Sequence, residues 1–314
     1  MKAVLQYRAT PAFRREISAL ENAQLRIAVV DETDHERFER EMQDADVLLH
    51  VLEPVKAATI HRAPRLKLIQ KLGIGVDTID LEAARQAGVA VCNMPGTNTR
   101  AVAELALLLV LATLRRLTQL DSETRAANGW TLNPEILDSL GELGGRTVGL
   151  VGFGAVGKCL APMLQGIGAH VLYTDVAETA AASAVYVSLD ELLSSADVVS
   201  LHVPLTKETA RLMNDQRFAS MKPGAILVNT ARGGLVDQDA LYRALTSGRL
   251  GGAGIDVFDH EPADTSHPIF KLSNVVVTPH VAWLTTETLR RSLSVFGENC
   301  RRLQEGKPLL NQVV

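Results

Sequence analysis

An arginine, a glutamate and a histidine in the later part of the chain have the side-chain types that reduction of a 2-oxo acid requires. Arg232 could bind the carboxylate and the carbonyl oxygen together, because its planar guanidinium donates parallel hydrogen bonds. His280 could deliver the proton, because an imidazole titrates near neutral pH. Glu261 could favour the protonated ring and fix its orientation. These three residues are the predicted catalytic set.

Other residues of the same types are weaker candidates for these roles. His202 is expected to contribute packing or backbone contacts to a cofactor loop. His260 is expected to be a solvated loop residue, because adjacent side chains on an extended segment point apart and its neighbour is Glu261. Asp256 is expected to contact the cofactor or to support the site, rather than to be the partner of His280.

A glycine pattern at residues 152–157, Gly-Phe-Gly-Ala-Val-Gly, predicts a dinucleotide site. It lies between a strand-like run and a helix-like run, which is the context that makes this motif specific. Gly152 permits the tight turn, Gly154 lets the backbone approach a pyrophosphate, and Gly157 lets the helix pack closely on the strand. The backbone N–H groups expected to face the diphosphate belong to Ala155 and Val156.

Asp175 indicates which dinucleotide the site would prefer. It ends the second strand-like run of this region, eighteen positions after Gly157, close to the spacing of about 20 expected for a ribose-binding carboxylate. Its charge would repel a 2′-phosphate, and the residues at 176–178 include no arginine to receive one. The sequence therefore predicts NAD rather than NADP.

Two series of alternating strand-like and helix-like runs must position these side chains, which predicts two parallel α/β sheets. The first series has strands at Lys2–Gln6, Arg26–Val30, Val47–Val51, Leu66–Leu72 and Val89–Cys92. The second has strands at Thr147–Val151, His170–Tyr173, Val198–Val203, Ala225–Asn229, Gly254–Phe258 and Val275–Thr278. The three catalytic candidates follow late strands of the second series, and the carboxyl ends of such strands line one crevice.

Two helix-like runs raise questions of packing. The run Thr99–Leu117 is apolar on nearly every face, so it is expected to be buried between domains, between subunits, or both. Glu104 within it would need a structural hydrogen bond. The last run, Glu287–Leu303, could pack on either sheet.

Composition excludes several classes of function. The formal net charge is -4 and the pI is about 6.1, so the chain offers no general basic surface for nucleic acid. Three scattered cysteines, Cys92, Cys159 and Cys300, indicate neither a disulfide framework nor a metal site. The N-terminus has no secretory signal pattern, and the run Ala101–Leu114 is too short to span a bilayer. A cytoplasmic protein without metal is expected.

The quoted blocks resemble the D-isomer-specific 2-hydroxyacid dehydrogenase family across nearly the whole chain. The resemblance gives the catalytic roles to Arg232, Glu261 and His280. It implies the α/β class, with two Rossmann-like or flavodoxin-like parallel-sheet domains and a cleft between them. The substrate domain would comprise residues 1–98 plus 287–314, and the NAD-binding domain residues 99–286. Hinges near Asn98 and Thr286 and a homodimer built on the cofactor domains are also implied.

The resemblance carries further site residues onto this sequence. The implied cofactor contacts are Gly152, Gly154, Ala155, Val156, Gly157, Asp175, His202, Val203, Pro204, Thr230, Ala231, Arg232, Asp256 and His280. The implied substrate contacts are Lys71, Ile74, Gly75, Arg232 and Trp283. Backbone N–H groups near Ile74 and Gly75 would hold the substrate carboxylate, and Lys71 could add positive charge or be a surface lysine.

The branch of the family is set by fewer residues. Trp283 resembles the hydroxypyruvate or glyoxylate reductase and glycerate dehydrogenase branch, which acts on short side chains. An activity like that of 3-phosphoglycerate dehydrogenase is the alternative, although residues 52–56 lack the arginine that members acting on phosphorylated three-carbon acids commonly carry. An NAD(H)-sensing, corepressor-like binding module and a formate-type dehydrogenase also remain open.

Overall fold

The computed structural model describes residues 1–180 and 183–314. The chain forms two compact units, one made of residues 1–98 and 284–314 and the other of residues 99–283. Each unit encloses one parallel sheet with helices between its strands. The predicted α/β class with two parallel-sheet domains is therefore confirmed.

The first unit has a five-stranded parallel sheet in the order β2-β1-β3-β4-β5. Its strands are β1 (Lys2–Gln6), β2 (Arg26–Val30), β3 (Val47–His50), β4 (Leu68–Lys71) and β5 (Ala90–Cys92). Its helices are α1 (Pro11–Ser18), α2 (His35–Met42), α3 (Ala57–His61), α4 (Leu81–Gln86) and α12 (Thr286–Gln304). The chain adds β2 on one side of β1 and then crosses back to add β3 on the other side. The strand order therefore reverses between β1 and β3, as in flavodoxin-like sheets.

The last helix packs on the first unit, a choice that the sequence pattern left open. Asn299 of α12 is fully buried, and its Nδ2 donates to Gln70 Oε1 of β4 at 2.6 Å and to the carbonyl oxygen of Leu310 at 3.1 Å. Its Oδ1 accepts from the Leu310 N–H at 2.8 Å. A buried amide with all these partners ties the helix and the chain end to the sheet.

The second unit has a seven-stranded parallel sheet in the order β12-β11-β10-β9-β6-β7-β8. Its strands are β6 (Thr147–Val151), β7 (His170–Thr174), β8 (Val185–Tyr186), β9 (Val198–Leu201), β10 (Ala225–Asn229), β11 (Leu250–Ile255) and β12 (Val275–Val277). Its helices are α5 (Thr99–Leu114), α6 (Leu117–Arg125), α7 (Pro134–Asp138), α8 (Ala155–Gly166), α9 (Leu189–Ser195), α10 (Asp215–Ser220) and α11 (Gln238–Thr246). Strand β8, which was not predicted, has only two residues and so no readable periodicity.

Strand β11 begins and ends earlier than predicted, at Leu250–Ile255 rather than Gly254–Phe258. Its glycines hide the strand in the sequence, because glycine has low strand propensity. The reason for them is close packing: a Cβ atom on Gly252 would lie 2.6 Å from Thr113 Cγ2, and one on Gly254 would lie 2.8 Å from Leu109 Cβ. Helix α5 crosses the strand at a distance that only glycine permits.

The apolar helix α5 is buried mainly within the second unit, against β10, β11 and α8. The hydrogen bond expected for Glu104 is present, although its setting is exposed rather than buried. Its side chain is exposed and forms an ion pair with Arg100 of the same helix, with Nε and Oε1 2.8 Å apart. Leu108 is also exposed, so one stripe of the helix faces outward.

None of the helices in the described ranges combines the length and the apolar character needed to traverse a bilayer.

Candidate active site

The turn from β6 into the first residues of α8 needs glycine at two positions. Gly152 has φ +98°, and a Cβ atom there would lie 2.7 Å from the carbonyl carbon of His202. A Cβ atom on Gly157 would lie 2.7 Å from the carbonyl oxygen of Gly152. The first glycine therefore permits the turn and the second permits the close approach of helix to loop.

Gly154 differs from the other two, because a Cβ atom there would meet no atom within 4 Å. Gly154 is the N-cap residue of α8 and makes no side-chain cap. The residue after it, Ala155, is exposed. The positive end of the helix thus faces open space, as a site for a diphosphate requires.

Asp175, which follows β7, is held against the glycine loop. Its Oδ2 accepts a hydrogen bond from the Phe153 N–H at 2.6 Å, and its Oδ1 accepts from the Val176 N–H at 2.7 Å. The Phe153 ring stacks on Tyr173 of β7, with centroids 4.0 Å apart. Each carboxylate oxygen can accept a further bond, so the oriented carboxylate can still bind a ribose hydroxyl.

His202, which directly follows β9, is held by contacts within the protein. Its Nε2 lies 2.9 Å from Ser200 Oγ, and its backbone carbonyl packs against Gly152. Burial lowers the pKa of His202 to about 4, so the ring is neutral near pH 7. A ring that stays neutral is a poor proton donor for reduction of a ketone. Val203 and Pro204 continue the same loop.

Thr230, just after β10, has a buried hydroxyl without a partner among the described residues. A buried polar atom left unpaired is costly, so such an atom marks a place where a ligand group can bind. Thr230 lies in the block that the sequence assigned to cofactor contacts. Three features fit a bound dinucleotide: the open helix end at Gly154, the Asp175 carboxylate and this hydroxyl.

The loop that carries Arg232 packs directly on the loop that carries Glu261. A Cβ atom on Gly233 would lie 1.9 Å from the carbonyl carbon of Phe258 and 2.3 Å from the backbone nitrogen of Asp259. The two backbones therefore touch at Gly233 with no room for a side chain. Close contact at this point brings the guanidinium within electrostatic reach of the Glu261 carboxylate.

Glu261 and His280 form a hydrogen-bonded pair, with Oε2 and Nδ1 2.6 Å apart. Glu261 Oε1 accepts from the Phe258 N–H at 2.9 Å, which fixes the carboxylate. Burial raises the pKa of Glu261, but its hydrogen bonds to His280 and Phe258 and the charges of His280 and Arg232 outweigh burial and bring the pKa below its usual value. Because an ionised carboxylate only accepts hydrogen bonds, His280 Nδ1 carries the hydrogen, and Nε2 is the nitrogen left to exchange a proton.

His280 has a left-handed backbone, with φ +53°, which non-glycine residues rarely adopt. The carbonyl oxygen of Asp256 accepts from the His280 N–H at 2.7 Å. The buried Asp256 carboxylate accepts from Thr278 Oγ1 at 2.6 Å and from the N–H groups of Val281 and Ala282 at 2.9 and 3.0 Å. Such a conformation persists where the surroundings hold it, and Asp256 holds this loop.

Asp256 therefore binds the backbone of the histidine loop, whereas the hydrogen-bond partner of the imidazole is Glu261. Burial raises the pKa of Asp256, although the hydrogen bonds from Thr278, Val281 and Ala282 oppose this effect. The assignment of Asp256 to the cofactor contacts stays a prediction. His260, in contrast, has an almost fully exposed side chain.

The predicted substrate residues of the first unit lie at and after the end of β4. Lys71 is not a surface lysine: it is buried, and its Nζ donates to the carbonyl oxygen of Val51. Ile74 is exposed and Gly75 is half-buried. Burial and the charge of Lys71 lower the pKa of His50 to about 3, so that ring is neutral. The remaining predicted substrate residue, Trp283, is buried at the end of the second unit.

Two features of the site were missed by reasoning from sequence. One is the hydrogen bond from Phe153 to Asp175, and the other is Asn229, the last residue of β10, whose side chain is buried. A polar side chain that ends an otherwise apolar strand was the available signal for Asn229. In the described part of the chain, three or more His, Cys, Asp or Glu side chains nowhere come together in a way that could hold a metal ion.

Comparison with known proteins bears on both units. Residues 107–282 match the family model for the D-isomer specific 2-hydroxyacid dehydrogenase NAD binding domain. Glyoxylate reductase of Thermofilum pendens is 39% identical over 280 residues, which cover 87% of this chain and 82% of that protein. D-3-phosphoglycerate dehydrogenase of Mycobacterium leprae is 39% identical over 289 residues, which cover 90% of this chain but 54% of that protein.

A crystal structure of a Thermus thermophilus protein has the same fold as this chain, with a TM-score of 0.91 and 38% sequence identity, and the match covers 100% of both chains. The likeness therefore extends over both units, while the family model lies within the second.

Proposed function

This chain belongs to the D-isomer-specific 2-hydroxyacid dehydrogenase family of NAD-dependent oxidoreductases, and from that premise we propose that it interconverts a small 2-oxo acid and its D-2-hydroxy acid with His280 as the acid–base residue. The observation that carries the proposal is the Glu261–His280 pair, with Nδ1 and Oε2 2.6 Å apart, in the same unit as the glycine loop.

His280 delivers a proton from Nε2 to the carbonyl oxygen of the 2-oxo acid during reduction and takes it back during oxidation. Glu261 stabilises the charged ring and prevents it from turning, because its other carboxylate oxygen is fixed by the Phe258 N–H. Bound NAD in its reduced form supplies the hydride that C2 accepts. The residues proposed to hold it are those of the glycine loop, Asp175 and Thr230.

Arg232 binds the substrate in this proposal. Its guanidinium can donate two hydrogen bonds to the carboxylate and the ketone oxygen, and its charge stabilises the oxygen as negative charge develops there. The packing of Gly233 on Phe258 supports this role, because it holds the arginine loop against the loop of the acid–base pair. In the first unit, the N–H groups near Ile74 and Gly75 remain the proposed carboxylate site.

Glyoxylate or hydroxypyruvate is the proposed substrate. A relative named glyoxylate reductase covers most of both chains, and the buried Trp283 favours a short substrate side chain. A relative named D-3-phosphoglycerate dehydrogenase is equally identical, so the phosphorylated three-carbon acid is the second candidate. Among the described residues, Lys71, which ends β4 just before the proposed carboxylate loop, favours it because a positive charge there suits a doubly charged substrate.

The deciding experiment measures NADH oxidation with glyoxylate, hydroxypyruvate, pyruvate and 3-phosphohydroxypyruvate. We expect the highest kcat/KM with glyoxylate or hydroxypyruvate. A clear preference for the phosphorylated acid would replace the proposed substrate and keep the chemistry. Tight NADH binding without turnover of any acid would contradict the dehydrogenase proposal and favour an NAD(H)-sensing module.

Asp175→Ala is expected to reduce the preference for NAD over NADP. The substitution removes the negative charge that repels a 2′-phosphate and the acceptor for the ribose hydroxyls. The kcat/KM with NADH should fall about tenfold, which corresponds to one lost hydrogen bond to a charged group. The measurement is the ratio of kcat/KM for NADH and NADPH. Glu178→Ala, an exposed neighbour, is the matched control, and a ratio unchanged in Asp175→Ala would show that Asp175 is misassigned.

Glu261→Gln is expected to change the pH dependence of reduction. The pKa of Glu261 lies below its usual value, so this carboxylate is ionised throughout the neutral pH range. Glutamine can still accept from the Phe258 N–H but removes that charge, so the protonated ring is less favoured. The alkaline decline of kcat/KM should therefore move to lower pH. A profile identical to that of the parent protein would contradict the proposed partnership.

A homodimer formed through the second unit is a further part of the proposal. Four of the exposed large apolar side chains of that unit belong to the segment from α5 to α7, and exposed apolar side chains favour an interface. They are Leu108, Leu117, Trp130 and Leu137. Light scattering should give twice the chain mass, and Trp130→Glu should shift the protein toward the monomer. A monomer in the unmodified protein would contradict this part. We also propose a cytoplasmic location, where NAD(H) is supplied.

A further inference from the structure

Asn229 joins the end of β10 to the loop that carries Arg232. Its side chain is almost fully buried, which is unusual for an amide unless it is hydrogen-bonded. The Oδ1 atom accepts from the Ala231 N–H at 3.0 Å, and the Nδ2 atom donates to the carbonyl oxygen of Arg232 at 2.8 Å. One side chain therefore holds the backbone of Ala231, the residue before Arg232, and the backbone of Arg232 itself.

The two hydrogen bonds need a carboxamide. Asparagine has one acceptor and one donor on the same short planar group, whereas aspartate has two acceptors. Aspartate at this position would keep the bond from the Ala231 N–H. It would also put a negatively charged oxygen where the amide nitrogen now lies 2.8 Å from the Arg232 carbonyl oxygen. Aspartate would therefore keep the first hydrogen bond and lose the second, whereas asparagine makes both.

The backbone of Arg232 is held from the other side as well. Gly233 packs on the Phe258 carbonyl with no space for a Cβ atom, and the Phe258 N–H donates to Glu261 at 2.9 Å. The contacts run from Asn229 through the arginine backbone to Phe258 and the carboxylate of the acid–base pair. The position of the guanidinium relative to that pair depends on both ends of this path.

We propose that Asn229 is a positioning residue for the reaction, which acts through Arg232 by fixing the arginine's backbone carbonyl. The inference rests on the proposed function of Arg232 in substrate binding. Small displacements of a substrate-binding group are costly, since a shift of about 1 Å can reduce the rate by about 100-fold. Both side-chain hydrogen bonds of Asn229 go to the backbone of the arginine loop, at Ala231 and Arg232.

The first test is Asn229→Asp, assayed with the best 2-oxo acid of the panel. We expect kcat/KM to fall about 10- to 100-fold, with a rise in KM for the acid and a fall in kcat. The dissociation constant for NADH, from nicotinamide fluorescence, should change little, because the bond from the Ala231 N–H is retained. Asn229→Ala removes both bonds without adding a buried charge, so it should weaken NADH binding as well as lower kcat/KM. Parent-like kinetics in a folded Asn229→Ala variant would overturn the inference.

A double-mutant cycle separates positioning from a general effect on structure. In an Arg232→Ala background there is no guanidinium to position, so adding Asn229→Asp should change kcat/KM by less than about threefold. Losses that multiply in the double variant would overturn the inference, since Asn229 would then act independently of Arg232. If Arg232→Ala alone leaves activity unchanged, the proposed function fails. If Arg232→Ala loses activity and the Asn229 variants do not, only the inference fails.

Discussion

Replacing His280 by alanine is expected to lower kcat for reduction of the 2-oxo acid by about 100- to 10,000-fold, the range attributed to a positioned general acid. The expected loss follows from the pairing with Glu261, which leaves Nε2 as the nitrogen that exchanges the proton. Alanine removes the donor, and His202 is a poor replacement, because its Nε2 is 2.9 Å from Ser200 Oγ and burial keeps its pKa low. The measurement is steady-state turnover with saturating NADH.

The matched control is His260→Ala. That histidine is on the same loop as Glu261, but its side chain is almost fully exposed, so its removal should leave kcat within about twofold of the parent value. NADH affinity should be retained in both variants if His280 acts on the proton rather than on the cofactor. Retained turnover in His280→Ala would instead favour a formate-type dehydrogenase, which removes a hydride without needing an acid.

The second large effect is expected for Arg232→Ala. We expect kcat/KM for the 2-oxo acid to fall about 100- to 1,000-fold, comparable with the loss of a group that stabilises a developing oxyanion. KM should rise and kcat should fall together, because the guanidinium is proposed to bind the substrate in both the ground state and the transition state. Arg232→Lys should recover part of the loss, since lysine keeps the charge but not the planar pair of donors.

Arg243→Ala is the control for loss of an arginine from the second unit. Arg243 is exposed and forms an ion pair with Asp215 on the surface, so its removal should leave both kinetic constants near the parent values. An unchanged KM in Arg232→Ala would contradict substrate binding by this residue. A fall in NADH affinity as large as the rise in KM would assign Arg232 to the cofactor instead.

These two variants also distinguish the parts of the proposed mechanism. Loss of the His280 imidazole should lower mainly kcat, whereas loss of the Arg232 guanidinium should affect both kcat and KM. The Glu261 carboxylate is electrostatically linked to both side chains, because the charges of His280 and Arg232 each lower its pKa. Combining His280→Ala with Arg232→Ala should therefore give a loss smaller than the product of the two single losses, as expected for groups that act as a unit.

Much of the fold could be predicted because its signals are local. Strands β1, β2, β6 and β10 have the predicted bounds, since short apolar runs bounded by turn residues indicate buried parallel strands. The glycine motif was also readable in this way, because the positive φ of Gly152 and the close approach of Gly157 to Gly152 both arise within a few residues. Strand β11 was misplaced, because its glycines are explained by helix α5, which lies far away in sequence.

The candidate site, like the fold, could be predicted only in part. The side-chain types were enough to identify three candidates, Arg232, Glu261 and His280. Few side chains can bind an anion, donate a proton near neutral pH or orient an imidazole. Their arrangement could not be predicted from type. The left-handed backbone of His280 depends on hydrogen bonds to Asp256, and the Arg232 loop depends on the Asn229 amide.

The amino-acid sequence by itself determined the alternation of strands and helices, the glycine loop with its acidic partner, and the side chains able to do the chemistry. Only the tertiary structure decided that Lys71 is buried, that Asp175 is tied to Phe153, and that Gly233 brings two loops into contact. The physical reason is that periodicity and turn preference depend on residues a few positions apart. Burial, hydrogen-bond partners and close backbone approach depend on segments that meet only when the chain is packed.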